Sequence, residues 1–140
     1  MFEDLELMMV LKSIPMFNEL DFETLYQVSK IADFKNAAAG EAVVKKGETS
    51  QSFYVLLEGR VGVYLVEGAK AIACIGPGEI FGELGIIDQK ERTATVRALE
   101  DAMMLEFDGA GFLDLLVKNS AIAFSVAKTI SRRLRSMLEA

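Results

Sequence analysis

Between about Ala42 and Phe107 the chain breaks into short apolar runs rich in Val, Ile, Tyr and Phe, punctuated by Gly47, Gly59, Gly68 and the Gly76-Pro77-Gly78 turn. Closely spaced β-forming runs bounded by turn residues predict many short strands, and these bury their apolar faces by closing into a sandwich or barrel. Phe53, Val55 and Leu57 alternate with Tyr54 and Leu56, and Val61, Val63 and Leu65 alternate with Gly62, Tyr64 and Val66. Neither alternation is half-polar, so both faces of these strands are expected to be covered.

The flanks carry helical patterns instead. Leu5, Met8, Met9 and Leu11 recur at three- and four-residue spacings, which predicts a short amphipathic helix. Asp21 is placed to cap a second helix carrying Leu25, Val28 and Ile31, with Leu20 stapled against its first turn. Beyond the strands, Asp108 is expected to cap a helix with Phe112, Leu113, Leu115, Leu116 and Val117 that stops near Asn119. A last helix runs from Ser120 towards Met137. Its apolar stripe is Ala123, Val126, Ala127, Ile130, Leu134 and Met137, and Lys128, Arg132 and Arg135 form a charged one.

Composition removes several classes of function. A chain of 140 residues suits one domain with its own core. Hydrophobic residues make up 51%, yet no apolar run approaches the ~20 residues of a membrane helix, and no basic signal-peptide region opens the chain. A cytoplasmic protein with no membrane insertion is expected. The sequence contains no histidine, the commonest metal ligand and general base, so a histidine-rich metal cupin is excluded and neither metal nor cofactor is expected. The single cysteine, Cys74, forms no internal disulfide and reads as a small core residue. A net charge of −6 opposes non-specific attraction to nucleic acid, so no direct DNA binding is expected.

One segment carries chemistry. Glu83 stands among Phe81, Leu84, Ile86 and Ile87, and Arg92 follows shortly after. A carboxylate so placed loses hydration and needs donors or a cation in exchange. Arg92 offers a planar donor fork suited to phosphate, Glu83 offers acceptors suited to a sugar hydroxyl, and Gly82 and Gly85 let backbone N–H groups approach closely. Together they describe a pocket for a small phosphorylated sugar. The alternative for Arg92 is a surface arginine paired with Glu91 or Asp88. Arg97, between Val96 and Ala98, is expected to be solvated and has no ligand role.

Phe81-Gly82-Glu83-Leu84 followed by Arg92-Thr93-Ala94-Thr95-Val96 resembles the phosphate-binding cassette of cyclic nucleotide-binding domains. Ala39-Gly40-Glu41, Lys46-Gly47-Glu48, Phe53 to Gly59 and Gly76-Pro77-Gly78-Glu79 resemble that family's other turns and strands, in order, over nearly the whole chain. The resemblance implies a mainly β fold with flanking helices, a β jelly roll (double-stranded β-helix). N-terminal helices would occupy 1–33, the jelly roll 34–107 with its cassette at 81–96, and a C-terminal helix pair 108–140. It also implies that Arg92 pairs with the cyclic phosphate, that Glu83 accepts the 2'-hydroxyl, and that N–H groups around Gly82, Leu84, Thr93 and Ala94 complete the cradle. A short helical turn after Glu83 would aim its N–H groups at the anion.

Val63, Ile72, Arg132 and Arg133 are candidates for contact with the base, although arginines near a helix C-terminus also complement its dipole without any ligand. Threonine after the phosphate arginine goes with cyclic GMP in eukaryotic relatives, whereas bacterial members with serine or threonine there resemble cyclic AMP sensors. Cyclic AMP is therefore favoured over cyclic GMP. Glu91 stands where kinase-type relatives have proline and adds a negative charge near the phosphate.

The implied function is a non-catalytic sensor that signals through its last helix to an unidentified effector protein or within a homodimer. No winged helix-turn-helix, kinase or channel segment accompanies it, so the expectation is a stand-alone module or a piece of something larger. The alternative is a jelly-roll interaction or dimerisation domain that no longer binds nucleotide. An enzyme is disfavoured: no nucleophile–base pair or Walker loop is present, and Phe81 stands where a dinucleotide fingerprint after Gly76 and Gly78 needs glycine.

Overall fold

The structure, a computed structural model, describes residues 2–139. They fall into two compact units, a helical one of residues 2–31 and 112–139 and a β unit spanning Ala32–Gly111.

Eight strands make up the β unit: β1 (Ala32–Ala37), β2 (Ala42–Val44), β3 (Ser52–Glu58), β4 (Val61–Tyr64), β5 (Ala73–Ile75), β6 (Ile80–Phe81), β7 (Thr95–Ala98) and β8 (Ala102–Asp108). They form two antiparallel four-stranded sheets in the orders β1-β8-β3-β6 and β2-β7-β4-β5. That is the strand order of a jelly roll, the fold expected. Between the sheets lies a cluster to which Tyr54, Leu56, Phe81 and Met104 contribute from one side and Val44, Val61, Val96 and Ala98 from the other. Along β3, Phe53, Tyr54, Val55 and Leu56 are all buried, as the absence of a polar face foretold. Phe53 lies opposite Phe107 in the ladder, and their rings stack at 4.6 Å with planes 4° apart. β4 is shorter than its pattern suggested, since Leu65 and Val66 lie beyond it and are exposed.

Cys74 is not a core residue. It sits exposed on β5, the outermost strand of its sheet, where no further strand lies alongside. Alternation alone does not distinguish an edge strand from a central one, and the edge position explains the difference.

Five helices are present among the described residues: α1 (Phe2–Lys12), α2 (Phe22–Ser29), the short α3 (Leu84–Asp88), α4 (Gly109–Lys118) and α5 (Ser120–Glu139). α1 buries Leu7, Met8 and Leu11 and leaves Leu5 and Met9 exposed, so its apolar stripe is rotated from the expected one. Asp21 caps α2, its carboxylate accepting from the Thr24 N–H at 2.8 Å, and Leu20, Leu25 and Val28 are buried. The Asp108 carboxylate likewise accepts from the Gly111 N–H at the start of α4, whose Val117 is exposed. Asn119 caps α5 by accepting from the N–H groups of Ala121 and Ile122. No single helix among the described residues is long and apolar enough to cross a membrane.

The Thr24 hydroxyl and N–H hold the Asp21 carboxyl below the usual carboxylate range. A lowered folded-state pKa stabilises above the unfolded value and is lost as pH falls through the folded one. Asp21→Ala is therefore expected to lower the melting temperature at neutral pH, with the deficit closing in acid. Asp21→Asn, which caps without charge, should melt near wild type at neutral pH and carry less of this pH dependence. Thermal melts across pH 2–7 check both (range set by the ordinary carboxylate pKa of ~4).

Candidate functional site

Phe81 ends β6, and the chain must turn at once into α3. Gly82 makes that turn with φ of +83°, a left-handed conformation costly for residues with a side chain. A Cβ there would also lie 2.9 Å from the Arg92 Nη1. Gly85 answers to a second constraint, because a Cβ would collide with the Ser50 hydroxyl and come within 2.8 Å of the Lys90 carbonyl. The two glycines seen in the sequence are thus required by close approach. α3 supplies the expected helical turn after Glu83, with the Ile86 and Ile87 N–H groups donating to the Glu83 carbonyl at 3.1 Å each.

Arg92 is fixed by its own backbone. Its N–H donates to Glu48 O and its carbonyl accepts from Gly47 N–H, both at 2.9 Å, and Lys46 N–H donates to the Thr95 hydroxyl at 3.1 Å. The Lys46-Gly47-Glu48 turn therefore carries the arginine segment. The guanidinium turns inward and away from Asp88 and Glu91, with Nη1 donating to Gly82 O at 2.7 Å and Nη2 to Ser52 O at 2.6 Å. It joins β3, the cassette and the arginine segment at one point. Burial lowers its pKa, while the Tyr54 phenol and the carboxylates of Glu48 and Glu83 act in the opposite direction. Arginine remains charged under such influences. Glu83 is 3% exposed, so the structure brings a buried acid and a half-buried guanidinium together at one cassette.

The remaining expected residues are placed less uniformly. Gly82 and Ala94 are half-buried and Thr93 is exposed. The Leu84 backbone opens α3. Val63 is half-buried against the intersheet cluster, whereas Ile72 is 60% exposed beyond β4, its N–H donating to Val63 O at 2.7 Å. Arg132 and Arg133 lie on the exposed part of α5. Arg97 is half-buried rather than simply solvated, bonded to Glu67 at 2.8 Å and Gly40 O at 3.2 Å.

Sequence reasoning missed the second side of Arg92. A cleft of about 400 Å³ is lined by Arg92 with Tyr54, Glu106, Ser52, Glu48, Lys45 and neighbours from β2 and β3. Tyr54 donates its O–H to Glu106 at 3.1 Å. Nothing in the local pattern marks these residues, since Tyr54 reads as an ordinary apolar strand position.

A jelly roll whose cassette gathers an acid and an arginine behind glycine turns defines a class of small-ligand-binding domains. The chain belongs to the cyclic nucleotide-binding domain family, which its sequence matches over residues 34–119. The cyclic AMP receptor protein of Thermus thermophilus is 28% identical over 128 residues, covering 89% of this chain and 59% of that protein. Of the next two curated relatives the chain spans only 29% and 7%. Among solved structures, the sensor domain of the transcriptional regulator DNR from Pseudomonas aeruginosa aligns with a TM-score of 0.80 at 24% identity, over 99% of this chain and 95% of that one. The regulatory subunit of a cAMP-independent protein kinase A from Trypanosoma brucei aligns with 0.79 at 20% identity, over 91% and 46%. At such identities the two structures establish the shared fold.

Proposed function

We propose that this chain is a non-catalytic regulatory module of the cytoplasm that binds a cyclic nucleotide, cyclic AMP in preference to cyclic GMP. The observation that carries this reading is the convergence of the buried Glu83 and the inward-turned Arg92 on the cassette. Arg92 pairs with the cyclic phosphate, Glu83 accepts the ribose 2'-hydroxyl, and backbone N–H groups around Gly82, Leu84, Thr93 and Ala94 close the cradle. Val63 and Ile72 border the base. Occupancy is passed on through α5, whose exposed Ile130, Leu134 and Met137 offer a surface to an effector protein or a second copy. The same reading gives helices over 1–33, the jelly roll over 34–107 and helices over 108–140, with the first strand, β1, starting two residues earlier at Ala32.

Calorimetry with cyclic AMP, cyclic GMP, 2'-deoxy cyclic AMP and AMP tests it. Cyclic AMP should bind saturably and AMP should not. Removing the 2'-hydroxyl, or replacing Glu83→Gln, should cost about tenfold in affinity, the loss expected for one hydrogen bond to a charged group. Absence of binding by either cyclic nucleotide to folded protein favours the other reading, a jelly roll that has given up its ligand. One feature supports that alternative: two guanidinium donors of Arg92 are already taken by the protein's own carbonyls.

A further inference from the structure

Phe81 on β6, Tyr54 on β3 and Glu106 on β8 lie side by side on one rung of the sheet. Directly opposed residues project to the same face, and these three are joined. The rings of Tyr54 and Phe81 stack at 5.1 Å with planes 19° apart, and the phenol donates to Glu106 Oε2. Arg92 abuts the same group. A Cβ on Gly82 would lie 2.9 Å from Arg92 Nη1 and 3.5 Å from Tyr54 Cδ2, so guanidinium and ring flank one glycine. Glu106, Tyr54 and Arg92 also face a single cleft.

An acid and a guanidinium sharing a half-buried cleft favour the bidentate pair that each makes best. Of the two acids lining the cleft, Glu48 acts on Arg92 through its charge, whereas Glu106 is engaged elsewhere, by the phenol. We propose that the Tyr54 hydroxyl, by holding the Glu106 carboxylate, keeps that acid off the Arg92 guanidinium and so sets how strongly Arg92 takes an anion from solution. Tyr54 is thus a positioning residue. Burial first, and then the Glu106 charge, push its pKa up to about 12, so the phenol keeps the proton it donates across the physiological range. With the hydroxyl removed, Glu106 turns to the remaining N–H donors of Arg92 and competes with phosphate. The proposal rests on the nucleotide-binding reading and adds residues outside the cassette to it.

The test is a double-mutant cycle of wild type, Tyr54→Phe, Glu106→Gln and the double variant, titrated with cyclic AMP and melted in parallel. Tyr54→Phe keeps the stacked ring and should weaken binding about tenfold, the loss expected when a charged competitor occupies the receptor. Glu106→Gln alone should bind no more weakly than wild type, and the double variant should return to within about threefold of it. A merely structural tyrosine gives losses that add, and that result, or an unchanged affinity for Tyr54→Phe, overturns the proposal. A wild type that takes up no cyclic AMP while folded sinks the nucleotide reading instead. The Arg92 Nε–H resonance of the ligand-free protein then decides the positioning role: a shift in Tyr54→Phe that reverts in the double variant supports it, and an unmoved resonance refutes it.

Discussion

Arg92→Ala is expected to lose most cyclic AMP binding and to lower the stability of the domain at the same time. The two effects have different causes. The affinity loss follows from removing the guanidinium proposed to pair with the phosphate, a charge-assisted interaction worth roughly 1.5–3 kcal/mol, which corresponds to at least tenfold in affinity. The stability loss arises because Ser52 O and Gly82 O give up donors at 2.6 and 2.7 Å. Leaving such carbonyls unmatched costs roughly 1–3 kcal/mol, towards the lower end where water reaches them. Arg92→Lys separates the causes: the ammonium keeps the charge but does not span both carbonyls, so part of the affinity should return and little of the stability. Calorimetric titration beside denaturant unfolding measures both. An Arg92→Ala variant as stable as wild type would show that the two carbonyls find equivalent partners without it.

Phe107→Ala should produce the largest purely structural loss. Phe107 is fully buried near the end of β8, a strand lying between β1 and β3, and stacks on Phe53, also fully buried. Truncating such an aromatic removes its transfer free energy and leaves a cavity that close packing does not refill, a cost of roughly 3–5 kcal/mol. That is a large share of what a domain of this size possesses. Urea unfolding should show the midpoint falling with little change in slope. Affinity of the remaining folded protein for cyclic AMP should be nearly unchanged, because Phe107 projects to the opposite face of β8 from its neighbour Glu106, which lines the Arg92 cleft. Phe107→Leu, which refills most of the volume, should recover much of the loss.

The site was half legible in the sequence. Gly82, Glu83, Gly85 and Arg92 were visible because their chemistry is local: a charge among apolar neighbours and glycines where the backbone must come close. Ser52, Tyr54 and Glu106 were not, for strand pairing alone brings them to the cleft that Arg92 lines. Arg92 bonds a residue 40 positions away, and Tyr54 one 52 away. Helix patterns were read correctly in kind and less well in face. On α5, Ile122, Ser125 and Val126 are buried, while Ile130, Leu134 and Met137 continue the same stripe into solvent.

What the order of residues settled alone was whatever depends on near neighbours: the turns at glycines, the double-faced texture of β3, the caps Asp21 and Asp108, and the composition of the cassette. Rotamer, dihedral and capping preferences act over a few residues and leave their mark in the local pattern. Tertiary structure alone decided that Cys74 lies on an edge, that the guanidinium turns inward to Ser52 and Gly82, and that a tyrosine and an acid share its cleft. Burial and charge pairing depend on which distant strand arrives alongside. That depends on how the sheets close, which no short window of sequence contains.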